Sequence, residues 1–444
     1  MNRYQSYKPS GVEWIGEIPS NWSVTKIKYT KKDSKDSFID GDWIESKDLS
    51  DEGIRYITSG NIGEGRYKEQ GSGYISEDTF KELNCTEIFE GDLVISRLFL
   101  PVGRSCILPN LNNNRVITCV DNVVLRPKES FNKSYLNYQF NSNRYSEFTE
   151  LISRGVTLTR ISRGMLGNNS IVVPPLQEQL QIVQFLDEKT ELIDKLISTK
   201  EQKITLLKEQ RTSLINEVVT KGLNPNVKMK DSGVEWIGEI PEHWGLIKMK
   251  HKGDVIIGLS YSPEDIVDEG DGTLVMRSSN VQNGKPSFLD NVYVSTKIPE
   301  KIRLKIGDIL ICSRNGSRNL IGKNCLITKN EEGLTFGVFM TVYRSRHYKF
   351  MYWLLNSPIF ESQSGLFLTS TINQLTVSTL QNMVLPFTDN ENEQNQIVEY
   401  LDSKTKEIND LVQLEQKKID LLKEYRQSLI SEVVTGKIKV TTDE

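Results

Sequence analysis

The chain is written twice. Ser10–Pro19 reads SGVEWIGEIP and returns unchanged at Ser232–Pro241, an offset of 222, and Trp22 and Trp244 extend the match. A second pair of blocks, Glu178–Thr220 and Glu393–Thr435, agrees at 25 of 43 positions with an offset of 215. Self-similarity on this scale means that one structural unit is used twice, which constrains every later inference. Between the shared blocks the copies diverge, yet echoes keep the frame. Arg55–Asn61 resembles Leu274–Asn280, Gly91–Arg97 resembles Gly307–Arg314, and Gly103–Cys106 resembles Gly322–Cys325. The layout is globular region, helix, globular region, helix.

The shared 43-residue blocks are expected to be long helices with a coiled-coil seam. Ile193, Ile197, Lys200, Ile204, Leu207, Arg211, Leu214 and Val218 advance in steps of four and three, the 3.5-residue period of such a stripe. The second copy repeats it at Ile408, Val412, Glu415, Ile419, Leu422, Arg426, Leu429 and Val433. Neither block contains proline or glycine, so each helix would run about 65 Å. Length and shared period favour mutual pairing over two separate core helices. The segment Leu223–Asp231 that joins the first helix to the second SGVEWIGEIP box reaches roughly 35 Å even when extended. That is too short for a parallel pair, so an antiparallel pair is expected, with Arg211 and Arg426 fixing register at some cost in stability.

Each globular region reads as short β-rich runs, such as 93–96, 116–125 and 337–343, with a helical stretch near 134–153 or 348–360, punctuated by Gly, Asn and Pro. The expected fold class is mixed α/β: two globular α/β domains separated by two long antiparallel coiled-coil helices, a pseudo-twofold tandem repeat. The expected segments are 1–176, helix 177–222, linker 223–231, 232–391, helix 392–437 and a tail 438–444.

The net charge is -4, which excludes a bulk polycation, so nucleic-acid binding would have to come from local patterning. Such patterning is present. Residues 1–92 hold 12 Lys+Arg against 18 Asp+Glu, whereas 93–163 hold 10 against 4; residues 242–302 hold 7 against 9, and 303–351 hold 9 against 3. The basic parts are rich in arginine, whose planar fork binds phosphate or guanine O6/N7 bidentately. A charge run is ordinarily a solvated face. Its recurrence in both copies, interleaved with Asn, Ser, Thr and Gly at 153–160 and 313–319, favours DNA contact. The candidate DNA-binding residues are Arg97, Arg104, Arg115, Arg154, Arg160 and Arg163, then Arg314, Arg318, Lys323, Arg344 and Arg346. Trp14 and Trp236 lie in the identical box, so packing is a better account of them than base stacking.

Catalytic signatures are missing. The sequence has no GxxxxGK[ST], HExxH, GxSxG or GxGxxG. Pro174-Pro175 lacks the Asp/Asn and aromatic neighbours that hold an exocyclic amine in amino-methyltransferases, and more plausibly breaks the chain before the long helix. Five scattered cysteines without CxxC spacing and three histidines give no metal site and fit reduced thiols. No run of 18 apolar residues and no apolar leader is present, so no membrane partner and a cytoplasmic location are expected.

The doubled SGVEWIGEIP box with its tryptophan, the segment Pro174–Gln179 and the long helix carrying Leu206-Leu207-Lys208-Glu209 and Arg211 resemble the specificity subunit of type I restriction-modification systems. The resemblance covers essentially the whole chain, except that Pro386-Phe387-Thr388 replaces the Pro-Pro-Leu segment before the second helix. It implies two target-recognition domains, each reading one half of an asymmetric bipartite double-stranded DNA site across an antiparallel spacer. Two methylation subunits and restriction subunits would dock, forming an adenine-N6 methyltransferase and endonuclease complex. S-adenosylmethionine, ATP and Mg would belong to those partners, leaving no cofactor, metal or chemistry on this chain. A coiled-coil scaffold with two protein-binding ends is the alternative; a nuclease or methyltransferase acting alone is a third.

Overall fold

The computed structural model describes residues 3–71, 73–112, 115–153, 159–367 and 374–440. The chain forms two compact units, residues 1–200 with 417–444, and residues 201–416. Two helices run through them: α1, Leu176–Lys221, and α2, Glu391–Val434. Each unit therefore combines one globular region with the first half of the helix that follows it and the last half of the other helix. That exchange of halves is what an antiparallel pair requires.

The seam expected from the 3.5-residue period faces inward. Ile193, Ile197, Ile204, Ile408, Ile419 and Leu429 are buried, and Leu207, Leu214, Val412 and Leu422 are half-buried. Polar groups interrupt the stripe with specific partners. In the first unit Arg426 Nε lies 3.1 Å from Asp194 Oδ1, and in the second Lys203 Nζ donates to Glu415, 3 % exposed, at 2.9 Å. The buried Glu415 would be costly without such a cation, so the Lys203–Glu415 pair penalises a slipped register.

The helix termini explain the repeated boxes. In the first unit Trp22, fully buried, donates its indole N–H to Glu178 of α1 at 3.0 Å; in the second Trp244 donates to Glu393 of α2 at 3.1 Å. The carboxylate sits in the first turn of each helix, where the backbone dipole favours negative charge. The other helix ends against the same tryptophan. Gly436, in the left-handed region at φ +73°, approaches so closely that a Cβ would lie 2.4 Å from Pro19 Cδ, which leaves room for glycine alone. The box itself turns a hairpin, Tyr7–Pro9 with Glu17–Pro19 and Met229–Asp231 with Glu239–Pro241. Trp14 packs on Phe148, ring centroids 5.3 Å apart, whereas Trp236 is 45 % exposed. The second helix, lacking Pro-Pro, starts from an asparagine cap: Asn390 Oδ1 accepts from the N–H groups of Asn392 and Glu393 at 3.1 and 3.3 Å.

Both globular regions carry one sheet pattern. Strands β1 (Phe38–Asp40), β2 (Leu93–Ser96), β3 (Ser105–Ile107) and β4 (Asn122–Leu125) form an antiparallel sheet in the order β1-β4-β2-β3. Strands β5 (Asp254–Ile257), β6 (Ile309–Cys312), β7 (Asn324–Leu326) and β8 (Met340–Arg344) repeat it as β5-β8-β6-β7. The apolar runs β2 and β6 are wholly buried, as central strands covered on both faces are. Beside each sheet lies a parallel pair, Ile54–Ile57 with Val116–Thr118 and Thr273–Met276 with Thr335–Phe336. The run 116–125 is thus two strands in two sheets, turned at Cys119–Asp121, and the stretch 134–153 is two helices broken at Asn141 and Ser142. Asn141 breaks its helix by folding its side-chain amide back onto Asn137 O at 2.6 Å, the local competition that keeps asparagine out of helix interiors.

Candidate DNA interface

Ladder register aligns the two copies residue by residue. Leu93 pairs with Leu125 in one sheet and Ile309 with Tyr343 in the other. Counting outward from these pairs, Arg126 matches Arg344, Asp92 matches Asp308, and the loop beyond β2 matches the loop beyond β6.

Much of the arginine singled out in sequence is structural. Arg344 clasps the buried Asp308 with Nε and Nη2, both at 2.7 Å, and Arg126 clasps Asp92 at 2.9 and 2.7 Å. These bidentate bonds hold both guanidinium pKa values above the ordinary arginine range. Arg104, buried, donates to four or more backbone carbonyls, including Ile62 O at 2.7 Å and Ser59 O at 2.8 Å. Lys323 does the same work in the second copy, donating to Ser278 O at 2.6 Å and Val281 O at 3.0 Å. Arg97 is 4 % exposed and donates to Ile161 O and Val120 O at 3.1 and 2.5 Å. Burial lowers the pKa of Arg97 and Arg104, yet a guanidinium stays charged. The expected basic surface is therefore smaller than the arginine count: Arg97, Arg104, Lys323 and Arg344 brace loops, because carbonyls and carboxylates left by those loops need donors.

The remaining candidates are exposed. Arg115 bridges Glu77 and Glu87 at 2.7 and 3.0 Å and lies over the Phe80 ring. Arg160 meets Asp121 at 2.8 Å, and Arg163 meets Asp40, which Arg97 also contacts, at 3.3 Å. Arg318 donates to Gly365 O at 3.3 Å, and Arg346 donates to His347 Nε2 at 2.9 Å. Arg154 lies outside the described residues.

Arg314 is exposed and lines a cleft. Its guanidinium lies 5.0 Å from the centroid of the exposed Phe339 ring, a cation–π contact that covers one face of the group. Both residues line a cleft of about 1140 Å³ with Tyr261, Arg277, Asn315 and Gln374. Aromatic, guanidinium and amide groups on one open wall suit nucleic-acid bases, which offer π-faces and hydrogen-bonding edges together. Sequence reasoning passed over Phe339 in the cleft, and also the exposed Ile257, Trp43 and Phe99 outside it. In sequence such large apolar residues look like parts of a core strand.

Among the described residues no three or more His, Cys, Asp or Glu are grouped to hold a metal, and no helix is long and apolar enough to cross a membrane.

The repeated α/β unit, with its arginine-bearing loops and its share of both long helices, has relatives among known proteins. Residues 26–206 match the family model described as type I restriction modification DNA specificity domain. The chain is 25% identical over 96% of its length to the putative type I restriction enzyme MjaX specificity subunit of Methanocaldococcus jannaschii, covering 96% of that protein. It is 27% identical over 68% of its length to the MjaVIII specificity subunit of the same organism, covering 70% of it. Its fold matches a chain from a study of assembly and conformational transition of the type I R-M system, with a TM-score of 0.73, 17% identity and 95% and 99% of the two chains covered. The HsdS subunit of Thermoanaerobacter tengcongensis gives a TM-score of 0.51 at 16% identity, with 95% and 98% covered. Residues 26–206 thus carry the type I restriction modification DNA specificity domain, and the chain is similar along 96% of its length to a curated type I restriction enzyme specificity subunit.

Proposed function

We propose that this chain reads an asymmetric, two-part double-stranded DNA target, one recognition domain per half-site, as the non-catalytic subunit of a cytoplasmic complex. Two methylation subunits dock on it and methylate adenine N6 with S-adenosylmethionine. Restriction subunits add cleavage that consumes ATP and uses Mg. The helices set the gap between half-sites. One observation carries this reading: matched loops of the two copies share a backbone frame but present different side chains, as two readers of different sequences must.

The test is to map methylated motifs in host DNA with and without this gene, and to titrate duplex binding by the complex against salt. A two-part motif lost with the gene, and binding that weakens steeply with salt through counterion release, are expected. Unchanged methylation and salt-insensitive binding would instead favour a protein scaffold.

A further inference from the structure

The register shows how far the two readers differ at one shared place. In the first copy five charged residues meet: Asp40 ending β1, Arg97 and Asp121 in the loops beyond β2 and before β4, and Arg160 and Arg163 on the returning segment. Each has a definite counterpart. Asp40 pairs with Val123 as Ile257 pairs with Thr341. The Arg97 N–H donates to Asp121 O as the Ser313 N–H donates to Phe339 O. Leu98 bridges Arg160 as Arg314 bridges Gln374. Arg163 and Val377 both open short helices capped by Ser162 and Thr376. Every charge of the first copy is thereby replaced by an uncharged residue, Ile257, Ser313, Phe339, Gln374 and Val377, while Leu98 is replaced by Arg314, whose guanidinium lies over the Phe339 ring.

We infer that this shared place selects opposite base-pair types in the two half-sites: a G·C pair in the first, read by Arg160 or Arg163, and an A·T pair in the second, read by Gln374, Phe339 and Ile257. The inference rests on the DNA-reading function proposed above. The Arg160 and Arg163 side chains are each 45% exposed and each meets one carboxylate, so N–H groups remain for guanine O6 and N7. Arg97, buried, holds Asp40 in place for them. In the second copy Ile257 is 51 % and Phe339 52 % exposed, so both have apolar surface to offer a ligand. The thymine C5-methyl is the apolar element of the major groove, and a glutamine amide beside it matches adenine N6 and N7.

The experiment exchanges the two sets within the assembled complex. Arg160→Gln and Arg163→Val, singly and together, are scored by mapping methylated motifs and by selecting bound duplexes from a random-sequence pool. A G·C preference in the first half should fall about ten- to a hundredfold, while the second half stays unchanged and so reports an intact fold. Gln374→Arg should relax an A·T position in the second half alone. An unaltered first-half preference, or equal weakening on all sequences as phosphate contacts give, overturns the inference while leaving the proposed function standing. Absence of any motif dependent on the wild-type gene would instead remove the proposed function itself.

Discussion

Arg97 and Ser313 hold the same place in the two copies. Each donates its backbone N–H across the loop, to Asp121 O at 2.8 Å and Phe339 O at 3.0 Å, and each accepts from the returning segment, Ile161 N at 3.1 Å and Leu375 N at 2.8 Å. Arg97 is therefore not the counterpart of Arg314, as the sequence echo suggests; Leu98 is. Near a strand end successive side chains face opposite ways, so a one-residue offset turns one arginine into a buried strut and the other into an exposed group.

Arg104→Ala should destabilise the first globular region by about 3 kcal/mol, because several carbonyls lose a charged donor at once. Denaturant unfolding of the complex and of the purified chain measures it. A loss below about 1 kcal/mol would show that the loop finds other donors.

Replacing Arg344 tests the clasp on Asp308. Arg344→Met leaves a buried carboxylate unpaired and should cost about 3–5 kcal/mol, whereas Arg344→Lys keeps the charge, loses the fork and should cost less. If the two variants melt alike, charge contributes little and packing dominates.

Burial pushes the Cys106 and Cys325 thiols up to about 12 and Cys85 up to about 11. Native protein at pH 8 should therefore react slowly at these thiols, and unfolded protein quickly. Their contribution to stability is complete below the unfolded-state thiol pKa and declines as pH rises above about 9, since only the unfolded chain ionises there. Fast labelling of folded protein would contradict the burial.

Changing both Arg211 and Arg426 to Leu should leave α1 and α2 paired but broaden their register, as removal of polar seam groups does. Spin-label distances between the helices would widen in distribution; an unchanged distribution would place register control in the Lys203–Glu415 pair instead.

Four residues, about one turn, inserted at matched points of α1 and α2 should alter the gap between half-sites and leave the half-site bases alone. Motif mapping reads both quantities, and altered bases would count against a spacer role for the helices.

Some of this was legible in sequence. The box and seam recur, and periodicity is a local property that survives divergence elsewhere, so the helices and their inward stripe could be read directly. Clustered arginines showed where the loops lie, but not which of them face outward. Arg344 looked like a surface group, and its partner Asp308 lies 36 positions away; Arg104 is claimed by carbonyls as distant as Ser59.

By itself, then, the sequence determined that two similar α/β regions would alternate with two long helices, because repeats and the 3.5-residue period act within a segment. Only the tertiary structure decided that each unit shares halves of both helices, and which arginines brace loops and which remain open. Those outcomes depend on ladder register and on buried carboxylates and carbonyls remote in sequence, whose need for a donor is set by burial.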